Sequence, residues 1–273
     1  MSIHQSALYL GFIVSGVLAT IIANAYGWRH SFFLFGGFGI VLAAVMAFRL
    51  KNDTPRQGSS TPVLKLFRDG LKAFFGTPSI VLLAVACAGF QFAGQAFLVW
   101  TPTYLQESIG LSSTMAAFDA SFYTQLASIF GVMIGARLAD GNIKRHPKAR
   151  LWVEALGFVL GAPFLLMLAK GRTEFVMCFA MAGYGLFKGF YDSNIFAAVY
   201  DLIDERYRAM ATSFMLMFAL IIGSASPYLL GVLQPSVGLS KGIALMGLVY
   251  MLSALPILAA GLWTFRRDYA RQH

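Results

Sequence analysis

Eight predominantly apolar stretches, each long enough to cross a hydrocarbon core, restrict this chain to very few architectures. A helix rises about 1.5 Å per residue and satisfies its own backbone hydrogen bonds, so about 18 or more apolar residues bridge roughly 30 Å of lipid. The stretches fall at about residues 6–25, 30–49, 78–101, 117–139, 150–169, 174–200, 209–232 and 241–265. Composition agrees: hydrophobic residues make up 58% and charged residues 12%. A soluble globular chain carries roughly twice that charge fraction. The chain reads as an all-α integral membrane protein of eight transmembrane helices.

Its 21 basic residues outnumber 12 acidic ones, a balance that in a soluble chain would suggest nucleic acid. Their distribution excludes that partner. Arg49, Lys51, Arg56, Lys65, Arg68 and Lys72 lie between the second and third stretches, and Arg137, Lys144, Arg145, Lys148 and Arg150 cluster after the fourth. Arg206 and Arg208 follow the sixth, and Arg266, Arg267 and Arg271 follow the eighth. The alternate connections hold only Arg29, Lys170, Arg172 and Lys241. This is the positive-inside pattern, which puts both termini in the cytoplasm of a membrane expected to be the bacterial inner (plasma) membrane. Cys87 and Cys178 sit inside spans as small buried hydrophobes, so no disulfide framework is expected. The opening Met1-Ser2-Ile3-His4-Gln5 lacks a basic signal-peptide region, so the first span is expected to be retained.

The longest polar interruption, Lys51 to Pro62, has the composition of a flexible linker. Beyond it, Val63, Leu66, Phe67, Leu71, Phe74 and Phe75 recur at helical spacing opposite Lys65, Arg68, Asp69 and Lys72. That pattern fits an amphipathic helix on the lipid headgroups. Glycines four apart at Gly131/Gly135, Gly157/Gly161 and Gly185/Gly189 fit close helix packing, while Pro163 and Pro227 fall inside spans and would bend them.

Four segments carry a resemblance. They are Gly27-Trp28-Arg29-His30-Ser31-Phe32-Phe33; Trp100-Thr101-Pro102-Thr103-Tyr104-Leu105; Gly135-Ala136-Arg137-Leu138-Ala139-Asp140-Gly141-Asn142-Ile143-Lys144-Arg145; and the stretch from Tyr191-Asp192-Ser193-Asn194 through Arg206-Tyr207-Arg208 to Ser226-Pro227. Together they resemble helices five to twelve of the major facilitator superfamily, nearest its organic-anion, sugar-phosphate and spinster-like branches. The resemblance implies the last two helices of an N-terminal bundle (residues 1–50), a cytoplasmic linker with the amphipathic helix (51–77), a complete six-helix bundle (78–266) and a cytoplasmic tail (267–273). It also implies a cytoplasmic gate at Asp140, with Arg137 and Arg145 beside it. Gly141 stands where the family usually has arginine. Complete members rock two six-helix bundles about a central site. The opening Ser2–Ser6 resembles a family interior, so missing N-terminal helices or a second subunit are expected to close the pathway.

Polar groups in mid-span are costly unless they face protein or a watered cavity. Lys188 and Asp192, four apart, share a helix face with Tyr184 and Asn194 nearby. Two roles are open to this pair, substrate attraction with proton exchange or a structural ion pair. Gln91 and Gln95 are one turn apart and can both donate and accept. Tyr123 and Gln125 could extend the polar lining or only join helices. Glu154 is expected near the start of its span, favoured there by the helix dipole, and Asp119 is expected as a helix cap or an outer gate. His30 has no partner at metal-ligand spacing, so no metal and no cofactor are expected. No HExxH, GxSxG or Walker loop occurs, which argues against an enzyme. The expected function is secondary active transport of a small organic anion, with a proton or ion as coupling partner. The alternative is a transport-inactive receptor or assembly partner.

Overall fold

The computed structural model describes residues 2–49, 63–143 and 145–272, so the polar linker expected at 51–62 and Lys144 lie outside the described residues. What is described is helical with no strand. Helices α1 (Ser2–Tyr26) and α2 (Trp28–Arg49) meet at Gly27, whose φ of 90° makes the tight turn that a side chain would strain. Then come α3 (Val63–Gly76), α4 (Pro78–Ile109), α5 (Ser113–Ile143), α6 (Ala149–Lys170), α7 (Glu174–Asp192) and α8 (Ile195–Tyr200). A 3-10 turn at Glu205–Tyr207 leads into α9 (Arg208–Val237). The last run is α10 (Leu239–Leu252), α11 (Ala254–Ala259), a π-helical turn (Ala260–Thr264) and α12 (Phe265–Ala270).

Seven of these runs are long and apolar enough to span a membrane among the described residues. The eighth expected span, 174–200, differs in a specific way. It divides at Ser193–Asn194 into α7 and α8, and its 19-residue first part carries Glu174, Lys188 and Asp192. The Asn194 amide donates to Phe190 O at 2.9 Å, replacing a helical bond where the run breaks.

The glycine pairs explain how α7 is held between α5 and α6. A Cβ on Gly189 would lie 2.5 Å from Val132 N and 2.6 Å from Gly131 C, and one on Gly157 would lie 2.7 Å from Phe187 O. These are backbone-to-backbone approaches that a methyl group forbids. Ser128 adds a bond across the seam, its Oγ donating to Gly185 O at 2.9 Å. In α9, Pro227 cannot donate to Gly223 O, and the Ser226 hydroxyl supplies that carbonyl instead at 2.9 Å.

One end of the bundle is tied by side chains from distant sequence. Asp268 of α12 is buried and accepts from Ser79 N at 2.9 Å and Ser79 Oγ at 2.7 Å, so it caps the first turn of α4. Lys148 Nζ donates to Gly261 O inside the π-helical turn. Helix α3 packs against the bundle, its Phe67 and Phe74 rings 5.2 and 6.0 Å from Phe214 of α9. Leu64 and Phe75 remain exposed.

Candidate functional site

A cavity of about 540 Å³ opens among α1, α4, α5, α7, α8 and α9. The break after Asp192 ends α7 at the cavity wall, and Lys188 and Asp192 face inward on its last turn. Lys188 Nζ donates to Asp192 Oδ2 at 2.8 Å, with side chains only 15% and 13% exposed. The same oxygen accepts from the Tyr9 hydroxyl of α1 at 2.5 Å, and Lys188 Nζ lies 4.4 Å from the Tyr9 ring centroid. Two helices remote in sequence therefore converge on one carboxylate. The ion pair is nearly desolvated, and the phenol and the cation–π contact take the place of lost water.

Around this pair the wall is largely aromatic. Phe90 and Tyr191 rings are 4.4 Å apart, and Phe97 and Tyr184 are 4.8 Å apart. Gln91, Gln95 and Gln125 also line the cavity. Tyr184 and Gln125 are buried, yet Tyr184 OH, Gln125 Oε1 and Thr124 Oγ1 have no hydrogen-bond partner among the described residues, and the buried Tyr191 OH meets the Cys87 thiol. Such groups are rare in a dry core. Their clustering on a cavity wall supplies donors and acceptors for a bound molecule.

Lys188, Asp192, Gln91, Gln95, Tyr184 and Gln125 thus come together from the expected set. Tyr123 and Asn194 are not in the lining; Asn194 is spent on Phe190 O at the helix break. Tyr9, Tyr191 and Thr124 were not singled out by the sequence. A tyrosine inside an otherwise apolar first span was the only available signal for Tyr9.

The expected gate has a different cation. Asp140 pairs with Arg150 at 3.4 Å, and Arg150 also pairs with Asp201 at 3.2 Å, whereas Arg137 and Arg145 make no ion pair among the described residues. Next to this group, Asp204 accepts from the Arg206 backbone N–H, and that bond with the guanidinium holds its carboxyl below the usual carboxylate range. Asp119 lies inside α5, past its first turn, and Glu154 lies inside α6, past its first turn. Asp119 does not cap its helix and Glu154 stands beyond the first-turn position expected for it: both are fully buried, Asp119 beside the Cys178 thiol and Glu154 with both carboxylate oxygens unpartnered among the described residues. His30 is exposed against Tyr26 and Phe33, and no metal-ligating cluster occurs among the described residues.

Membrane-length helices around a solute-sized cavity, with a charged pair on a broken helix, define a polytopic helical membrane protein with a polar site inside its bundle. The chain belongs to the Major Facilitator Superfamily, whose sequence profile matches residues 1–227. It is 25% identical over 246 residues to an MFS-type efflux pump of Mycolicibacterium smegmatis, covering 88% of this chain and 56% of the pump. It is 27% identical over 265 residues to protein spinster homolog 1 of Xenopus tropicalis, covering 89% of this chain and 49% of that protein. The chain thus spans about half the length of the curated relatives it matches.

A bacterial homologue of the human lysosomal transporter spinster, inward-facing and unoccupied, shares the fold with a TM-score of 0.67 at 17% identity, over 90% of this chain and 60% of that one. Its occupied inward-facing form gives 0.61. The similar sequences are thus an efflux pump and spinster homologues, and the solved structures share this chain's fold.

Proposed function

We propose that the chain forms the solute pathway of a secondary active carrier for a small organic anion, coupled to a proton or another ion. The observation that carries this reading is Lys188, a cation on the wall of an otherwise largely apolar cavity, held by a carboxylate that a competing anion could displace. An anionic headgroup takes Lys188 from Asp192, and the released carboxylate is the group through which a proton or another ion is coupled. The Phe90, Phe97, Tyr184 and Tyr191 rings receive the apolar body, and Gln91, Gln95 and Gln125 orient polar substituents. Asp140 with Arg150 serves as the gate at the basic end of the bundle.

The basic residues support an orientation with both termini in the cytoplasm of a bacterial inner membrane. Residues 1–50, 51–77, 78–266 and 267–273 then serve as partial bundle, linker, six-helix bundle and tail. Helix α2 buries only Ser31 among its described residues, so its apolar surface is available to lipid, further helices or a second subunit.

Proteoliposome uptake tests the reading. A panel of radiolabelled organic anions is presented with and without an inward proton gradient, to the native chain and to Lys188→Ala. Gradient-driven uptake of at least one anion, reduced about tenfold or more by Lys188→Ala, is expected; tenfold corresponds to about 1.4 kcal/mol of solute binding. Equal uptake by both forms contradicts the site. Saturable binding without any flux would make the chain a transport-inactive receptor.

A further inference from the structure

Glu154 is a charged residue that the pathway just described does not use. It lies in α6 with 0% of its surface exposed, and neither carboxylate oxygen meets a donor within the described residues. An ionised carboxylate in that position has lost water and gained nothing hydrogen-bonded in return. One turn earlier on the same helix stands Arg150, the charge that acts on it directly. Arg150 is already engaged elsewhere. Its guanidinium reaches Asp140 at the end of α5 (3.4 Å) and Asp201 just after α8 (3.2 Å), so it clamps the ends of three helical segments together.

Three carboxylates therefore share one guanidinium, and their surroundings rank them. The Asp140 side chain is 67% exposed and that of Asp201 is 27% exposed, whereas Glu154 is fully buried. Water screens the first pair heavily, and exposed pairs of that kind contribute little. An unscreened charge at i+4 on the same helix competes strongly for Arg150 once it forms.

The other groups that reach Glu154 carry no charge to offset it. Among the described residues they are Cys87 of α4 and Tyr191 of α7, with Asp192 acting on the same pair from further along α7. Helix α10 presents Tyr250 one turn on, against Phe158, and α11 has no ionisable residue.

We propose that Glu154 is a proton-binding site that sets the Arg150 clamp. With the proton on Glu154, Arg150 stays with Asp140 and Asp201, which is the arrangement in the structure. Loss of the proton leaves a buried carboxylate that draws Arg150 inward and frees the ends of α5 and of the α7–α8 segment. By linkage, closing the clamp raises the affinity for the proton by the same factor. The use made of the proton rests on the carrier reading, but the clamp and its titration do not depend on any solute.

The test is a distance measurement in lipid bilayers. Spin labels are placed at the exposed positions Asn142 and Glu205, after Cys87→Ser and Cys178→Ser, and the distance distribution is recorded from about pH 5 to about pH 9. The distribution is expected to be short and narrow at the acid end and longer or broader at the alkaline end. Glu154→Gln is expected to hold the acid distribution at every pH, and Arg150→Gln the released one. A pH transition that survives in Glu154→Gln overturns the proposal. Should that variant fail to insert, a transition that survives in Arg150→Gln overturns it equally. A Glu154-dependent transition in a chain that moves no solute keeps this inference and sinks the carrier reading; anion flux with the transition unchanged in Glu154→Gln does the reverse.

Discussion

Asp192→Asn is expected to destabilise the bundle by about 3–5 kcal/mol and to end gradient-driven uptake. The stability loss follows from leaving Lys188 with 15% side-chain exposure and no counter-charge, and removing one partner of a buried pair costs about that much. Tyr9 also loses a charged acceptor, which weakens the seat of α1 against α7. The double substitution Lys188→Gln with Asp192→Asn separates structure from transport. It removes both charges, and neutral replacement of a buried pair is often without net cost. Thermal unfolding in detergent is therefore expected to show the double variant restored to near the native midpoint, while anion uptake stays lost. A double variant that transports like the native chain would reduce the pair to a structural bond.

Gly189→Val should be among the most damaging apolar substitutions. The new Cβ would meet Val132 N at 2.5 Å, Gly131 C at 2.6 Å and Ser128 O at 2.7 Å, all backbone atoms of α5. No rotamer relieves contact with a backbone, so α5 and α7 must separate. Overpacking of this kind costs about 1–3 kcal/mol, and separation also strains the Ser128 to Gly185 bond, worth about 0.6 kcal/mol in a membrane bundle. The measurement is the unfolding midpoint of the purified chain, with Gly37→Val as the control. Gly37 has nothing within 4 Å of its ideal Cβ, so that variant is expected to match the native chain.

Much of this organisation is legible in the residues, for reasons that also mark where legibility ends. Span length and apolarity are local properties, so the helices can be read directly, and the 3.6-residue period pairs Lys188 with Asp192 without reference to the rest of the fold. Tyr9 is 183 residues from Asp192, and only the packing of α1 into the bundle joins them. Arg150 as the partner of Asp140 is hidden similarly, because the intervening turn decides which of several nearby cations points back. The break at Ser193–Asn194 left a trace in the polar run Asp192-Ser193-Asn194, yet an apolar stretch on either side reads as one span. Glu154 shows the limit most clearly. Position near a helix start favours a dipole role, but burial and missing donors, which only the packed bundle reveals, make its chemistry different.

If the cavity beside Lys188 receives the solute, a bound solute shields thiols in its wall. Leu98 lines that cavity and is exposed, so Leu98→Cys in a Cys87→Ser, Cys178→Ser background gives one reactive thiol in the wall. A saturating concentration of a transported anion is expected to slow labelling by a small maleimide about tenfold, as occupancy near 90% requires. An organic cation of similar size should leave the rate unchanged. Labelling at the same rate with and without the anion, while uptake continues, would place the solute elsewhere and contradict the assignment.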